Sequence, residues 1–170
     1  MYRVQPEPID DASTTWVDAG PLRFGVEARL VTPESLREAY GDDAAALAEI
    51  EANAPEEGFA DAGLSVHVVG VEDGHEYLRF DAFADDPHYH YIRPSGDHNH
   101  WVPFDSVAGG DMVAFTLACL RERLPEMLVS AGGESLAQQL DVDALAPAVD
   151  ALERRLDEIR AADRHDAAER

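Results

Sequence analysis

The sequence predicts an α+β domain: an antiparallel sheet of about four or five strands with helices packed on one face, plus a C-terminal amphipathic helix. Three observations carry this. Residues 64–104 break into short apolar–polar alternations separated by turn signals, the pattern of an antiparallel meander. Leu22, Phe24, Val26, Ala28 and Leu30 alternate with Arg23, Gly25, Glu27 and Arg29, which reads as a half-buried strand. Leu145, Val149, Leu152, Leu156 and Ile159 recur at spacings of four and three, one apolar stripe along a helix. At 170 residues, 45% of them hydrophobic, the chain can fill one substantial core, and disorder throughout is excluded.

Residues 1–20 are rich in Pro, Asp, Ser and Thr and lack a period, so they read as an irregular N-terminal arm. The α+β domain is expected over 21–140. After the strand at Leu22–Leu30, Thr32 is placed as a helix N-cap with Pro33 at the first helical position. That helix should reach about Ala54, broken at Gly41–Asp42, with Pro55–Gly58 as a loop. Further strands are expected at Leu64–Val71, His75–Phe83, His88–Arg93 and Asp97–Phe104. Asp73-Gly74 marks a two-residue hairpin, Ala84–Pro87 a second turn and Pro94-Ser95-Gly96 a third. Helix resumes near Asp111 and runs towards Arg123; Pro125 begins a fresh turn, and Gly132-Gly133 ends the segment. Residues 141–170 form the C-terminal helix, from about Asp143 to Ala162, and a frayed tail. Its stripe packs on the domain or, alternatively, pairs with a second copy as a homodimer.

The formal charge of −22 arises from 35 acidic residues against 13 basic ones, all arginine. An acidic, lysine-free composition resembles that of halophilic proteins, in which salt screens carboxylate repulsion. Binding of a basic partner is the alternative. The overall field disfavours nucleic acid. No apolar run is long enough for a membrane span, and the start lacks the basic and apolar regions of a signal peptide. A cytoplasmic location is expected. The single Cys119 excludes an internal disulfide and a multi-cysteine metal site, and reads as a small buried thiol.

Chemistry concentrates in two His-x-His pairs, His88-Tyr89-His90 and His98-Asn99-His100. Alternate residues of a strand share a face, so each pair offers two imidazoles to one side. Imidazole ligates zinc, iron, copper and nickel. Pro94, Ser95 and Gly96 suit a three-residue loop with a left-handed glycine. That loop sets Arg93 opposite Asp97 and His90 opposite His100, with all four histidines on one face. A two- or four-residue loop would instead set His100 opposite Tyr91 and split the pairs. On the other side, pairing of Phe83 with His88 sets Asp81 opposite His90, so Arg79, Asp81, His88 and His90 share a face. The candidate metal ligands are therefore His88, His90, His98 and His100, holding a divalent transition metal such as zinc, iron or manganese. Asp81 supports them as a ligand or by orienting an imidazole. Asp81 and Asp86 are the candidate catalytic groups, as metal-free general acids or bases. His67 and His75 read as ordinary strand and turn residues, and Tyr89, Tyr91 and Trp101 as packing. No glycine-rich nucleotide loop, serine elbow or HExxH motif is present, so no nucleotide cofactor is expected.

The run from Leu78 to Tyr91, LRFDAFADDPHYHY, resembles the core of an uncharacterised prokaryotic domain family. There an Arg-x-Asp-x-Phe strand leads to Pro-His-x-His, and an amphipathic helix like Val113–Leu128 follows. The resemblance spans roughly residues 64–132; it implies an α+β domain and no established activity. Cupins also use a His-x-His pair, but the Glu expected three to four residues after His90 is absent. Small toxins of toxin–antitoxin pairs show a strand, a histidine-rich turn and a helix, which would imply an RNA-directed activity; the acidity opposes it. Metal binding through the histidine cluster is thus the expected function. The alternative is a non-enzymatic interaction module with structural or pH-responsive histidines.

Overall fold

The computed structural model describes residues 5–41, 43–53, 59–96 and 99–168. The strands are β1 (Thr15–Ala19), β2 (Leu22–Val31), β3 (Asp61–Gly70), β4 (Glu76–Phe83), β5 (His88–Ile92) and β6 (Asn99–Pro103). They form one antiparallel sheet in sequential order, β1 through β6. The fold is α+β, with six strands rather than four or five. The additional strand is β1, inside the arm read as irregular. Gly20 and Pro21 join it to β2 in a two-residue connection, with Gly20 at φ +71°. That turn favours glycine in its first central position. The pairing buries Ala19 but leaves Thr15 exposed, so β1 shows little apolar alternation.

Helices α1 (Pro33–Tyr40) and α2 (Ala44–Asn53) fall between β2 and β3. Thr32 caps α1: its hydroxyl accepts from the Ser35 N–H, and Ser35 Oγ accepts from the Thr32 N–H. After β6 come α3 (Ser106–Gly109), α4 (Met112–Glu122), α5 (Leu124–Ser130), α6 (Glu134–Gln139) and α7 (Val142–Ala168). Asp111 caps α4 and proline opens α5, as expected. The helical tail continues to Ala168 rather than fraying after Ala162. Among the described residues, no helix is long and apolar enough to cross a membrane.

One sheet face is the hydrophobic core. Leu22, Phe24 and Val26 of β2, Val66 and Val68 of β3, and Leu78 and Phe80 of β4 are almost fully buried. Leu120, Leu124 and Leu128 cover them from α4 and α5, and Val149, Leu152 and Leu156 from α7. The α7 stripe is therefore occupied within the chain, against β1, β2 and α4. Cys119 is buried beside them, and burial pushes its thiol up to about 11.

The opposite face carries Glu27 and Arg29 on β2, Ser65 and His67 on β3, and Arg79 and Asp81 on β4. Its charged residues are not exposed to water as half-buried strands would suggest. Glu27, His67, Arg79 and Asp81 are all under 9% exposed. Arg29, Arg79 and Asp81 of this face line an open cavity of about 570 Å³ together with residues of α1, α2 and the segment preceding β1.

Two turns differ from expectation. The β3–β4 connection runs Val71–His75, with a bulge at Val68/Val69 and Gly74 at φ +67°. It is longer than a two-residue hairpin. In the β5–β6 turn, Gly96 sits at φ +70° and its N–H reaches the Arg93 carbonyl, as the left-handed glycine requires. The ladder nevertheless closes with Ile92 opposite Asn99, one residue out of the expected register. Asp97 and His98 lie outside the described residues.

Candidate metal centre

The one-residue shift decides which side chains meet. His90 faces Trp101, not His100, and His100 faces Tyr91. A slip of one residue turns a whole strand over. His100 therefore lies on the helical side of the sheet, its ring 6.0 Å from Tyr91. The expected four-histidine face does not form. His98, the remaining predicted ligand, falls outside the described residues. In place of His100, β6 presents Asn99 and Trp101 to the polar face.

On β4 the register is two residues from expectation, with Asp81 opposite His88 and Arg79 opposite His90. A shift of two preserves the face, so Arg79, Asp81, His88 and His90 still lie together. Asp81 Oδ2 stands 3.3 Å from His88 Nε2 and 3.2 Å from His90 Nε2. The potential ligand atoms of the three lie within 4.8 Å of one another. The two imidazoles meet edge to face, with centroids 4.9 Å apart.

Each imidazole is fixed from behind. His88 Nδ1 lies 2.6 Å from the Asp86 backbone carbonyl, and His90 Nδ1 lies 2.7 Å from Asn99 Oδ1. Carbonyl oxygens only accept, so both Nδ1 atoms carry the proton. In the neutral rings, each Nε2 then offers a lone pair towards Asp81 Oδ2. The other carboxylate oxygen, Oδ1, accepts from Ser65 Oγ. Asp61 holds the adjoining turn, its carboxylate accepting from the N–H groups of Ala84, Asp85 and Asp86. That places the Asp86 carbonyl behind His88. Trp101 packs beside His88 with ring centroids 5.3 Å apart. The Asp86 side chain is exposed at the cavity edge, 3.8 Å from His88 Nδ1.

Two lone pairs and a carboxylate oxygen repel unless a cation lies among them. Burial opposes charge on Asp81, but the two imidazoles, which donate to it when protonated at Nε2, and the Arg79 charge hold it ionised, well below the usual carboxylate range. Burial pulls both imidazoles down. For His88 the Asp81 carboxylate outweighs burial, and the ring lies above its ordinary value; for His90 burial wins, and it lies below. Either a proton on His88 or a metal ion completes the charge balance.

Beyond the triad, the face holds an ionic network invisible at single positions of the sequence. His67 is fully buried, its Nδ1 2.6 Å from Glu76 Oε1 and its Nε2 3.3 Å from Glu27 Oε2. The second contact lacks hydrogen-bond geometry. His67 is thus a buried ionic residue rather than an ordinary strand position. Arg79 clamps Glu76 through two bonds of 2.8 and 2.6 Å, and its Nη2 also donates to the Glu7 carbonyl at 2.7 Å. Arg29 pairs with Glu7 and lies 3.6 Å from Glu27. The signal that would have exposed this network was the coincidence of polar alternate positions on three neighbouring strands. It needed the β2–β3–β4 register to read.

A family model described as "Domain of unknown function (DUF7700)" matches residues 16–156. The chain belongs to this family. The DUF7700 region spans all six strands except the first residue of β1, the cavity floor and α7 to Leu156; the resemblance seen over residues 64–132 is part of it. No curated protein and no solved structure matches the chain. The DUF7700 description carries no activity, so the site must be read from its own geometry.

Proposed function

We propose that this protein binds a divalent transition metal through Asp81, His88 and His90, and that open coordination positions act on a small molecule in the adjoining cavity. The observation that carries this is the fixed tautomer pair: both Nδ1–H groups are committed to carbonyl oxygens, so both Nε2 atoms converge on Asp81 Oδ2. Outer hydrogen bonds of this kind orient imidazole ligands. The 3.2–3.3 Å separations also suit a metal. Ligands about 2.0–2.1 Å from an ion in tetrahedral array lie about 3.3 Å apart. A charge-assisted hydrogen bond would draw in to about 2.7–2.9 Å.

Two imidazoles and one carboxylate leave coordination positions vacant. That donor set suits iron(II) in oxygen chemistry, or zinc with a bound water in hydrolysis. A structural site would instead be closed by four ligands. The cavity gives a substrate access to the triad, and its volume lies in the range of small-molecule sites. The metal would polarise a substrate oxygen or activate water. Asp86, at the cavity edge, is the candidate proton acceptor. One rival is favoured by His88, whose raised proton affinity allows an Asp81–His88 ion pair without metal.

Elemental analysis tests both readings on untagged protein purified in high salt without chelator, beside His90→Ala, Asp81→Asn and His100→Ala. Near-stoichiometric metal is expected in the parent and in His100→Ala, and loss in the other two. A parent protein that carries no metal and takes up neither zinc, iron(II) nor manganese would leave only the ion pair.

A further inference from the structure

We infer that the cavity takes a small carboxylate with an apolar body, and that Glu7 occupies the seat of that carboxylate when no ligand is bound. The inference rests on the metal reading for the centre that the ligand would lie beside. Glu7 belongs to the segment preceding β1, outside the family region of residues 16–156. It is nevertheless buried, at 8% exposure, and lines the same cavity as the metal triad. Its carboxylate pairs with Arg29, and its carbonyl accepts from Arg79. Neighbouring contacts pin the segment: Tyr40 Oη donates to the Gln5 carbonyl at 2.8 Å, and Gln5 Nε2 donates to the Gly96 carbonyl at 3.0 Å.

The cavity floor sets Arg29 and Arg79 among the carboxylates of Glu27, Asp61, Glu76 and Asp81. What each guanidinium already touches decides which of them a ligand could reach. Glu76 already occupies Arg79 through both oxygens. Among the described residues, Arg29 has only the 3.6 Å approach of Glu27 besides Glu7 as an ion pair. Moving Glu7 aside would therefore free a guanidinium fork, which suits a planar carboxylate. Val31, Leu36, Ile50, Phe59 and Phe83 add apolar surface to the cavity lining. A ligand seated on Arg29 by its carboxylate would lay an aryl or alkyl body against that surface, within the same cavity as the metal.

Phenylacetate is a suitable probe and phenylacetamide its uncharged control. Binding of each to the full chain is measured calorimetrically, zinc-loaded, for the parent, Glu7→Gln and Glu7→Gln/Arg29→Gln. Glu7→Gln is expected to bind phenylacetate at least about tenfold more tightly than the parent. The double variant should lose that gain, and phenylacetamide should not distinguish the proteins. Equal phenylacetate affinity in parent and Glu7→Gln overturns the inference. So does an equal gain for the amide, which would make the segment a plain steric plug, or a gain that survives loss of Arg29. Glu7→Gln/Arg29→Lys replaces the double variant if that protein does not fold: a lysine keeps the charge without the fork, so a reduced gain supports the seat and an undiminished one refutes it. Metal analysis of the same samples separates the two readings. Bound zinc without Glu7-dependent binding refutes the carboxylate seat and leaves the metal centre. The phenylacetate gain without zinc uptake does the reverse.

Discussion

Asn99 offers the sharpest test of the proposed metal centre, because it would act on a bound metal through His90. Its Oδ1 accepts from His90 Nδ1 at 2.7 Å, and both residues are buried. Asn99→Ala removes the acceptor and leaves a buried N–H without it. Losing an outer partner of a metal-bound imidazole typically costs about 10–100-fold in affinity, which is about 1.4–2.7 kcal/mol. The orphaned donor should also lower the stability of the metal-free protein by about 1–3 kcal/mol. Asn99→Asp keeps an acceptor, adds charge and makes the ring a stronger ligand, so it should retain or improve affinity. Competition for zinc against a chromophoric chelator measures the first effect, and urea unfolding of metal-free protein the second. A folded Asn99→Ala that binds zinc within about twofold of the parent would refute the reasoning, because His90 would then need no orienting partner.

Other consequences follow from the same face and its neighbours. Burial opposes ionisation of Glu76, but the Arg79 charge and hydrogen bonds from His67 and Arg79 bring it down from 4.5 to about 2. A carboxyl depressed in the folded state stabilises above its unfolded pKa, and that contribution is lost as pH falls from 4.5 towards 2. The loss should be about 3 kcal/mol, read as the difference between parent and Glu76→Gln in urea unfolding across that window; a parallel pH dependence would contradict it. Asp61→Asn weakens the charge-assisted bonds that hold the Ala84–Asp86 turn, at about 1.5–3 kcal/mol, and should loosen zinc through the Asp86 carbonyl behind His88. Zinc titration alongside melting would show it, and unchanged affinity would detach that turn from the site. Leu152→Ala, in the fully buried α7 stripe, should cost about 2–5 kcal/mol in unfolding while zinc affinity holds. Coupled loss of both would show that the two faces are not separable.

Strands β2 to β6 were legible because antiparallel neighbours follow one another in sequence and their turns carry glycine; β1, with little apolar alternation, was not. Two registers differed from expectation, and only one of them changed parity. At Pro94–Gly96 the glycine conformation was read correctly, yet the ladder resumes one residue later than a three-residue loop allows. That single residue exchanged His100 for Asn99 and Trp101. At β4–β5 the misjudgement was two residues, and the face survived. Local turn chemistry specifies φ at Gly96 but not where pairing resumes, which depends on both strands and what covers them. Glu7 was illegible for another reason. Its partners Arg29 and Arg79 lie on β2 and β4, and no local pattern links an arm residue to two distant guanidiniums. His67 looked ordinary because a histidine in an apolar strand gives no sign of Glu27 and Glu76 on the strands beside it.

The two faces of the sheet call for different explanations. The helical face is apolar and closely covered, and can supply the stability of a domain this size. The polar face buries Arg79, His67, Glu27 and Asp81 together, with Glu76 partly buried beside them. Burying such a network costs desolvation that its internal attractions roughly offset, and a well-packed apolar replacement is often as stable or more so. Stability alone therefore does not account for this face. Its arrangement does match the demands of a site. Ser65, Asn99 and the Asp86 carbonyl each hold one member of the triad, while Glu76 holds Arg79 beside them. The ionic network keeps the strands that carry these groups in one setting, and burial of its members strengthens their mutual attraction. This division is why Leu152→Ala should fail in unfolding alone, whereas Asn99→Ala should lose metal affinity as well as stability.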